Sequence, residues 1–454
     1  MRRPLCVFCV GTLGVELVCA FLPQTGLLLP FAAFFVPALL WLLFGKNSRG
    51  YGVCLLLGAL AGLLLTAHTR QKLDRVHTAY ADREVTLTAE VEEVSASYYP
   101  GVVHAVLRVE PAGGEKTVFR VECVCMPKCT AGERVQARFA LEVPARTQQL
   151  SSYADGIALS GEYLSGMKHL GPSESFRAKT ARLQKRLSAA LRKGMAQGPA
   201  GVLAAMVLGD RTHLSKDLRS AYRAAGLSHV LVVSGMHVSI LCGSVFAKYL
   251  PEKKKRERGY ASRRRQALFS AAMALLLAGV TGLTPSVLRA ATAVWVSALG
   301  VWLYGPPDAL TSLGVAGVWM TLGNSYAVCD IGFELSFAAV LGTLAGAELA
   351  RKGRCFPLLR NGVWETLCVS ACASAATFPV LVLRGLSASL YALVSSVAVL
   401  WLVEPILRLG LATALLGCWP ALAPLHRVCS LCAAMLAGCL NRWALWVSGW
   451  PGAQ

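Results

Sequence analysis

Apolar runs separated by short polar turns recur along most of this 454-residue sequence, and no other feature constrains its fold as strongly. They lie within the first 22 residues and at about 27–44, 51–67, 229–249, 267–283, 286–304, 309–323, 331–350, 363–383 and 387–409, with two weaker segments at 411–425 and 428–447. A spanning helix needs roughly 20 apolar residues. The longer runs therefore read as membrane helices, and the shorter ones as tilted, broken or re-entrant pieces around a protein-lined cavity. The chain is 55% hydrophobic and 15% charged with a mean hydropathy of +0.52, outside the soluble globular range. The N-terminal MRR and its apolar run open like a signal peptide, but no small-residue cleavage site follows. Glu16 also interrupts the place where a lipobox before Cys19 would need an apolar residue, so three N-terminal helices are expected.

Between about residues 80 and 170 the pattern changes. REVTLTAEVEEV, VVHAVLRVE, KTVFRVECVCM, ERVQARFALEV and IALSGEYL alternate apolar and polar residues, are rich in Val and Thr, and are separated by Gly/Pro turns. Five such segments predict a small β barrel or sandwich, and an OB-like barrel by size. Residues 82–170 hold 9 Lys/Arg against 12 Asp/Glu, a net of −3; the remainder, with 36 Lys/Arg and 13 Asp/Glu, stands at +23. This domain is not an electrostatic trap for nucleic acid. Tyr98 and Tyr99, in the turn after the first segment, read as an amphipathic turn more readily than as base-stacking groups.

The positive charge concentrates in MRR, in GKNSRG at 45–50, in KKKRERGYASRRR at 253–265 and in RKGRCFPLLR at 351–360. Cytoplasmic loops carry such excesses. Placing all four inside is consistent with the parity of the runs, puts the N-terminus in the cytoplasm and leaves the β domain outside. The fold expected is a polytopic α-helical membrane protein with an inserted extracytoplasmic OB-like β domain. Its expected parts are N-terminal transmembrane helices at 1–67, the β domain at 68–172, a basic amphipathic interfacial helix at 173–197 and a multi-helix channel domain at 198–454. In the third part Phe176, Leu183, Leu187 and Leu191 share one helical face, with Arg and Lys opposite.

The stretch LGDRTHLSKDLRSAYRAAGLSHVLVVSGMHVSI, 208–240, combines membrane-like apolarity with polar groups. Residues 217–225 predict a short helix that Gly226 ends in the left-handed cap conformation. Beyond it, helical spacing stacks His229, Val233 and His237, with Ser234 a turn before His237, so both His and the Ser are expected on one interior surface. Asp210 and Arg211 follow a Gly and sit at the mouth of the same feature. Ionisable groups at membrane depth cost roughly 2.5–3.5 kcal/mol each and normally line a pathway or pair internally.

This stretch resembles the signature of the ComEC competence family: a Gly-Asp-Arg turn, a short helix, a Gly and a Ser-His-x5-Gly-x-His run. TGLTPSVLRAATAVWV at 281–296 and DIGFELSFAAVLGT at 330–343 are similar to two later family motifs, and SSYADGIALSG at 151–161 resembles part of its OB-like extracytoplasmic domain. The resemblance implies a cytoplasmic (inner) membrane channel that imports single-stranded DNA during natural transformation. Asp210, Arg211, His229, Ser234, Gly235, His237, Arg289, Asp330 and Glu334 would belong to its path, with Arg219 and Arg223 adding charge for a polyanion. It implies as partners an extracytoplasmic DNA receptor, a cytoplasmic ATPase, helicase or strand-binding protein, and a separate nuclease, and it leaves room for a homo-oligomer. The His-x-His-x-Asp-His metal motif of many members is not in this sequence, and SSVAVLW at 395–401 stands where the family has Asn and Pro, so a helix break expected there is in doubt. No phosphate loop is present, and no cofactor or metal is expected.

Cys123, Cys125 and Cys129, as C-x-C-x3-C, lack a fourth zinc ligand; one disulfide among them is expected in an oxidising compartment, with the pair left open. Two rival functions remain. One is an intramembrane hydrolase with Ser234 activated by His237 or His229, although VVSGMH lacks the G-x-S-x-G elbow. The other is a small-solute transporter, against which the missing inverted repeat argues.

Overall fold

The structure, a computed structural model, describes residues 3–22, 28–44, 49–96, 101–110, 117–241, 260–303, 308–352, 363–386, 389 and 391–452. Tyr98, Tyr99 and most of the basic stretches at 45–50, 253–265 and 351–360 lie outside them. The chain divides into two compact units, Met1–Ala181 with Pro307–Asp330, and Arg182–Pro306 with Ile331–Gln454.

The first unit opens with α1 (Pro4–Phe21), α2 (Leu28–Phe44) and α3 (Arg49–Tyr80). Gly58 and Gly62, a small-xxx-small pair on α3, let it approach α1 closely: a Cβ built on Gly58 would lie 2.1 Å from the Phe8 carbonyl oxygen, and one on Gly62 2.5 Å from that of Thr12. Van der Waals packing of this kind drives helix association where no hydrophobic effect operates. Helix α3 outruns its apolar stretch, and Val76, Leu73 and Tyr80 reach the core of the β domain. There β1 (Arg83–Ala96), β2 (Val102–Val109), β3 (Phe119–Pro127), β4 (Glu133–Glu142) and β5 (Ile157–Pro172) close a barrel in the order β1-β2-β3-β5-β4, with α4 (Gln149–Ala154) before β5. Only β3 and β5 run parallel. The period-2 pattern turns Leu107, Val121, Phe139 and Leu159 inward, all nearly inaccessible. A bulge between Val91 and Glu93 leaves Glu92 for Arg120 at 2.8 Å, Arg177 at 2.7 Å and Arg108 at 3.8 Å. Cys123 and Cys129 are buried and Cys125 is exposed; none is bonded to another.

Helix α5 (Phe176–Arg192) runs through the division between the units. Its expected apolar face is only partly uncovered: Leu187 and Leu191 are buried, whereas Phe176 and Leu183 are exposed. The second unit continues with α6 (Gln197–Leu208), α7 (Lys216–Ala224), α8 (Gly235–Leu241), α9 (Tyr260–Val280) and α10 (Pro285–Trp302). α11 (Ala309–Thr321) belongs to the first unit; α12 (Ile331–Lys352), α13 (Val363–Leu383), α14 (Ala392–Leu416) and α15 (Ala423–Ser448) complete the second. Its core surrounds α6, buried from Ala200 through Leu208; a 12-residue helix that is apolar all round is a core element, too short to span.

Among the described residues six helices are long and apolar enough to cross a membrane: Pro4–Phe21, Arg49–Tyr80, Ile331–Arg351, Trp364–Leu383, Ala392–Leu416 and Pro420–Ser448. This is a polytopic helical membrane protein carrying a five-stranded β barrel. Two expectations are corrected among the described residues. The run at 229–249 is not helical before Gly235. α14 absorbs the start of the segment expected at 411–425, because Pro405 is accommodated inside it and the chain turns only at Gly417. Residues 395–401 are continuous helix, so the family's break is absent there, as its missing Asn and Pro suggested.

Candidate functional site

The 208–240 stretch folds as two caps joined by a short helix. Gly209, with φ +74°, takes the chain out of α6 and presents Asp210. The Asp210 carboxylate accepts from Ser188 Oγ at 2.5 Å, from Thr212 Oγ1 at 2.5 Å and from Thr212 N at 3.1 Å. Burial alone would raise its pKa, but these donors outweigh it and hold the carboxyl below its usual range. Both Asp210 oxygens are therefore committed away from Arg211. Partial burial, and after it the charge of nearby Arg219, lowers the basicity of Arg211.

Ser215 caps α7, its Oγ accepting from Leu218 N at 3.3 Å. As predicted, the helix ends against Gly226 at φ +73°: Leu227 N donates to Tyr222 O at 2.8 Å and Gly226 N to Arg223 O at 3.0 Å, the Schellman pattern. A side chain at 226 would also strike Ala392, whose Cα lies 2.5 Å from the position of its Cβ. Tyr222 is buried and donates to Asn441 Oδ1 at 2.8 Å, which anchors α7 to α15. The opposite face is exposed and carries Lys216, Arg219 and Arg223. Among the described residues no carboxylate pairs with Arg211, Lys216, Arg219 or Arg223.

The expected stack of His229, Val233 and His237 does not form, because Ser234 starts a new helix instead of lying inside an old one. His229 sits in the preceding turn, exposed, its Nδ1–H donating to the Gly226 carbonyl at 3.1 Å. His237, fully buried in the first turn of α8, accepts at Nδ1 from Ser234 N at 3.2 Å and from Ser234 Oγ at 2.9 Å. This is one half of a capping box, with an imidazole in the place of Glu or Gln reaching back to the Ser234 N–H. The neutral ring then carries its proton on Nε2, which is buried and makes no hydrogen bond.

The two caps converge. A Cβ on Gly209 would lie 3.7 Å from both Val233 Cγ2 and Gln184 Nε2, and one on Gly235 3.7 Å from Ala290 Cβ. Gln184 Nε2 donates to Leu208 O at 2.6 Å and Thr281 O at 3.3 Å, tying the ends of α6 and α9 together. Val233 and Val238 pack with Ala274, Leu277, Val287 and Ala291 of α9 and α10, and Arg289 is buried on α10. Asp210, Arg211, Arg219, Ser234, Gly235, His237 and Arg289 thus share one part of the second unit. Glu334 lies at the N-terminal end of α12 and is held by Arg384, Nε to Oε2 at 3.0 Å and Nη2 to Oε1 at 2.5 Å. Asp330 belongs to the first unit, within electrostatic reach of Asp155.

Sequence reasoning missed Gln184, Ser188, Arg384 and Asn441. Ser188 is 22 residues from Asp210, Arg384 is 50 from Glu334 and Asn441 is 219 from Tyr222. The one usable signal was that Ser188 and Gln184 are polar groups a turn apart on the same face of α5 as Leu187 and Leu191.

No group of three or more His, Cys, Asp or Glu among the described residues is arranged to hold a metal ion. No solved structure matches the chain. ComE operon protein 3 of Bacillus subtilis (strain 168) is 24% identical over 218 residues, 48% of this chain and 26% of that protein, so the matched stretch spans about a quarter of that relative's length. The profile of the Competence protein family matches residues 206–454, more than half the chain, from the end of α6 through both caps to the last helix. This chain belongs to the Competence protein family.

Proposed function

We propose that the chain forms the cytoplasmic-membrane path by which a single strand of DNA enters the cell during natural transformation. The observation that carries this reading is the cation cluster of Arg211, Lys216, Arg219 and Arg223, gathered without a partner carboxylate inside the family-matched region. Bringing like charges together is unfavourable unless an anion completes the site, and a polyanion path needs positive charge that binds weakly enough to release. In this reading Asp210 and the Ser234–His237 box shape the site, Arg289 and Glu334 with Arg384 line or brace the path, and Asp330 and His229 lie along it. The parts are the N-terminal helices, the β domain, the basic α5 region and the channel domain from 198 onward. The N-terminus is cytoplasmic and the barrel extracytoplasmic. The β1-β2-β3-β5-β4 order with its parallel β3–β5 pair supports an OB-like reading of the barrel. Phe176 and Leu183, exposed among the Lys and Arg of α5, support an interfacial role for that helix. An extracytoplasmic DNA receptor, a strand-pulling cytoplasmic protein and a separate nuclease complete the pathway.

The test is entry of labelled DNA into the cytosol of cells with the gene deleted and then restored. The intact chain is expected to restore entry, and a chain with Arg211→Glu and Arg219→Glu, present at equal level, is not. Equal entry with both would sink the reading.

The Ser234 Oγ to His237 Nδ1 contact gives the hydrolase its one supporting observation. Against it, the same Nδ1 accepts the Ser234 N–H, and no carboxylate among the described residues orients Nε2, so the pair is built as a cap. Ser234→Ala separates the two: the bond from the residue-234 N–H to His237 Nδ1 survives it, whereas a Ser nucleophile does not.

A further inference from the structure

Beside the cation row of α7 lies a chain of aromatic rings. Trp443 and Trp446 on α15 meet edge to face at 5.3 Å and 65°, Trp446 and Trp450 at 4.8 Å and 81°, and Trp450 and Tyr391 at 5.1 Å and 85°. Trp446 is 58% exposed. The link to α7 is direct on both sides. At its C-terminal end, Ser389 Oγ donates to the Ala224 carbonyl at 2.5 Å and accepts from Tyr391 N at 3.2 Å. On the α15 side, Tyr222 bonds Asn441, whose neighbour Arg442 is exposed. The exposed guanidiniums of Arg219, Arg223 and Arg442 and the exposed ring of Trp446 thus lie on elements that pack together, while Tyr391, Trp443 and Trp450 are half-buried, each resting one side against the core.

We propose that this part of the second unit, with Arg219, Arg223, Tyr391, Trp446 and Trp450 at its centre, is a stacking subsite for the unpaired bases of a single nucleic-acid strand. The proposal rests on the strand-path reading above and adds to it where the bases go. Phosphates answer the cation row; bases, which every sequence supplies, answer the rings, because each base has a π-face. A duplex keeps its bases stacked inside and offers the rings nothing. Rings at the end of a spanning helix also suit the interfacial layer of a bilayer. The unpaired cations alongside them and the ring chain's continuity with α7 favour the strand.

The full chain, in nanodiscs of phosphatidylcholine only, is titrated at fixed salt with a labelled oligothymidylate and with an abasic phosphodiester strand of equal length. The intact chain is expected to bind the base-bearing strand at least about fivefold more tightly. Trp446→Leu with Trp450→Leu should bring that ratio to about one while leaving abasic affinity within twofold, and the Phe pair should preserve it. A 5-bromouracil strand should photocrosslink to Trp446 or Trp450 of the intact chain, which tests the subsite even where the Leu pair does not fold. A ratio near one for the intact chain, with both strands bound, overturns the subsite and leaves the path standing. So does a ratio that survives the Leu pair, or a crosslink that maps elsewhere. Binding of neither strand overturns subsite and path together. Loss of nanodisc incorporation in the Leu pair, restored by Phe, assigns the rings to the bilayer and overturns the subsite as well.

Discussion

The β barrel and the loop from Gly209 to α7 treat charge in opposite ways. In the barrel, charges are largely consumed within the domain: Glu92 gathers three arginines, Glu84 pairs with Arg138 at 2.8 Å, Glu122 with His104 at 2.8 Å, and Glu133 with His169 at 2.6 Å. Around α7 the Asp210 carboxylate next to Arg211 is held by Ser188 and Thr212, Asp217 pairs with none of the cations, and four cations remain without a partner carboxylate among the described residues. Paired charge holds a fold together, and charge left unpaired by design is available to something outside it. Net charge by region hinted at this difference, but only the pairing states which cations are free to act.

Substitutions at four positions sharpen or break the comparison, each read as the change in thermal or denaturant stability of the purified chain. Glu92→Leu should cost the most, about 3 kcal/mol, because the side chain is 4% exposed and its loss strands three guanidiniums. The figure sits at the low end for a buried pair, since the arginines reach water. A loss below about 0.5 kcal/mol would show that the barrel does not depend on this network. Asp210→Ala should cost about 2 kcal/mol by removing three hydrogen bonds, one of them from the buried Ser188 hydroxyl, which would be left unmet.

Asp210 also makes a pH prediction. Its folded pKa lies below the unfolded value of about 3.9, so its stabilisation is full above that value and is lost as pH falls through the folded pKa. The stability gap between the intact chain and Asp210→Asn should therefore narrow on acidification from pH 6 to pH 3, and a constant gap would contradict the assignment. Ser234→Ala should cost about 1 kcal/mol, because the hydroxyl bond to His237 Nδ1 is lost while the residue-234 N–H still meets the ring. Arg219→Ala should change stability by less than about 0.5 kcal/mol, with the sign towards stabilisation because Arg211 loses a like neighbour. A clear destabilisation would mean that Arg219 has a structural partner, and the contrast with the barrel would fail.

Much of the local structure was legible in the sequence. The end of α7 was readable because only Gly accommodates the positive φ and the close backbone of α14 at position 226. The five β segments followed from alternation. The start of α8 was misread, since a continuous apolar run hides a helix start when the cap is a lone Ser answered by a His. The apolar face of α5 was identified correctly, but which half of it the protein covers was not, because burial depends on neighbours that the face itself does not name.

By itself the sequence determined the solvent of this protein, the insertion of one β domain among membrane helices, the cap at Gly226, and the family. These depend on composition and on interactions within a few residues, which a linear pattern records. The tertiary structure alone decided that Ser188 takes Asp210 from Arg211, that Arg384 takes Glu334, and that Asn441 holds Tyr222 and so packs α7 against α15. Those partners lie tens to hundreds of residues apart, and which acceptor a donor meets is settled by packing, which no local periodicity encodes.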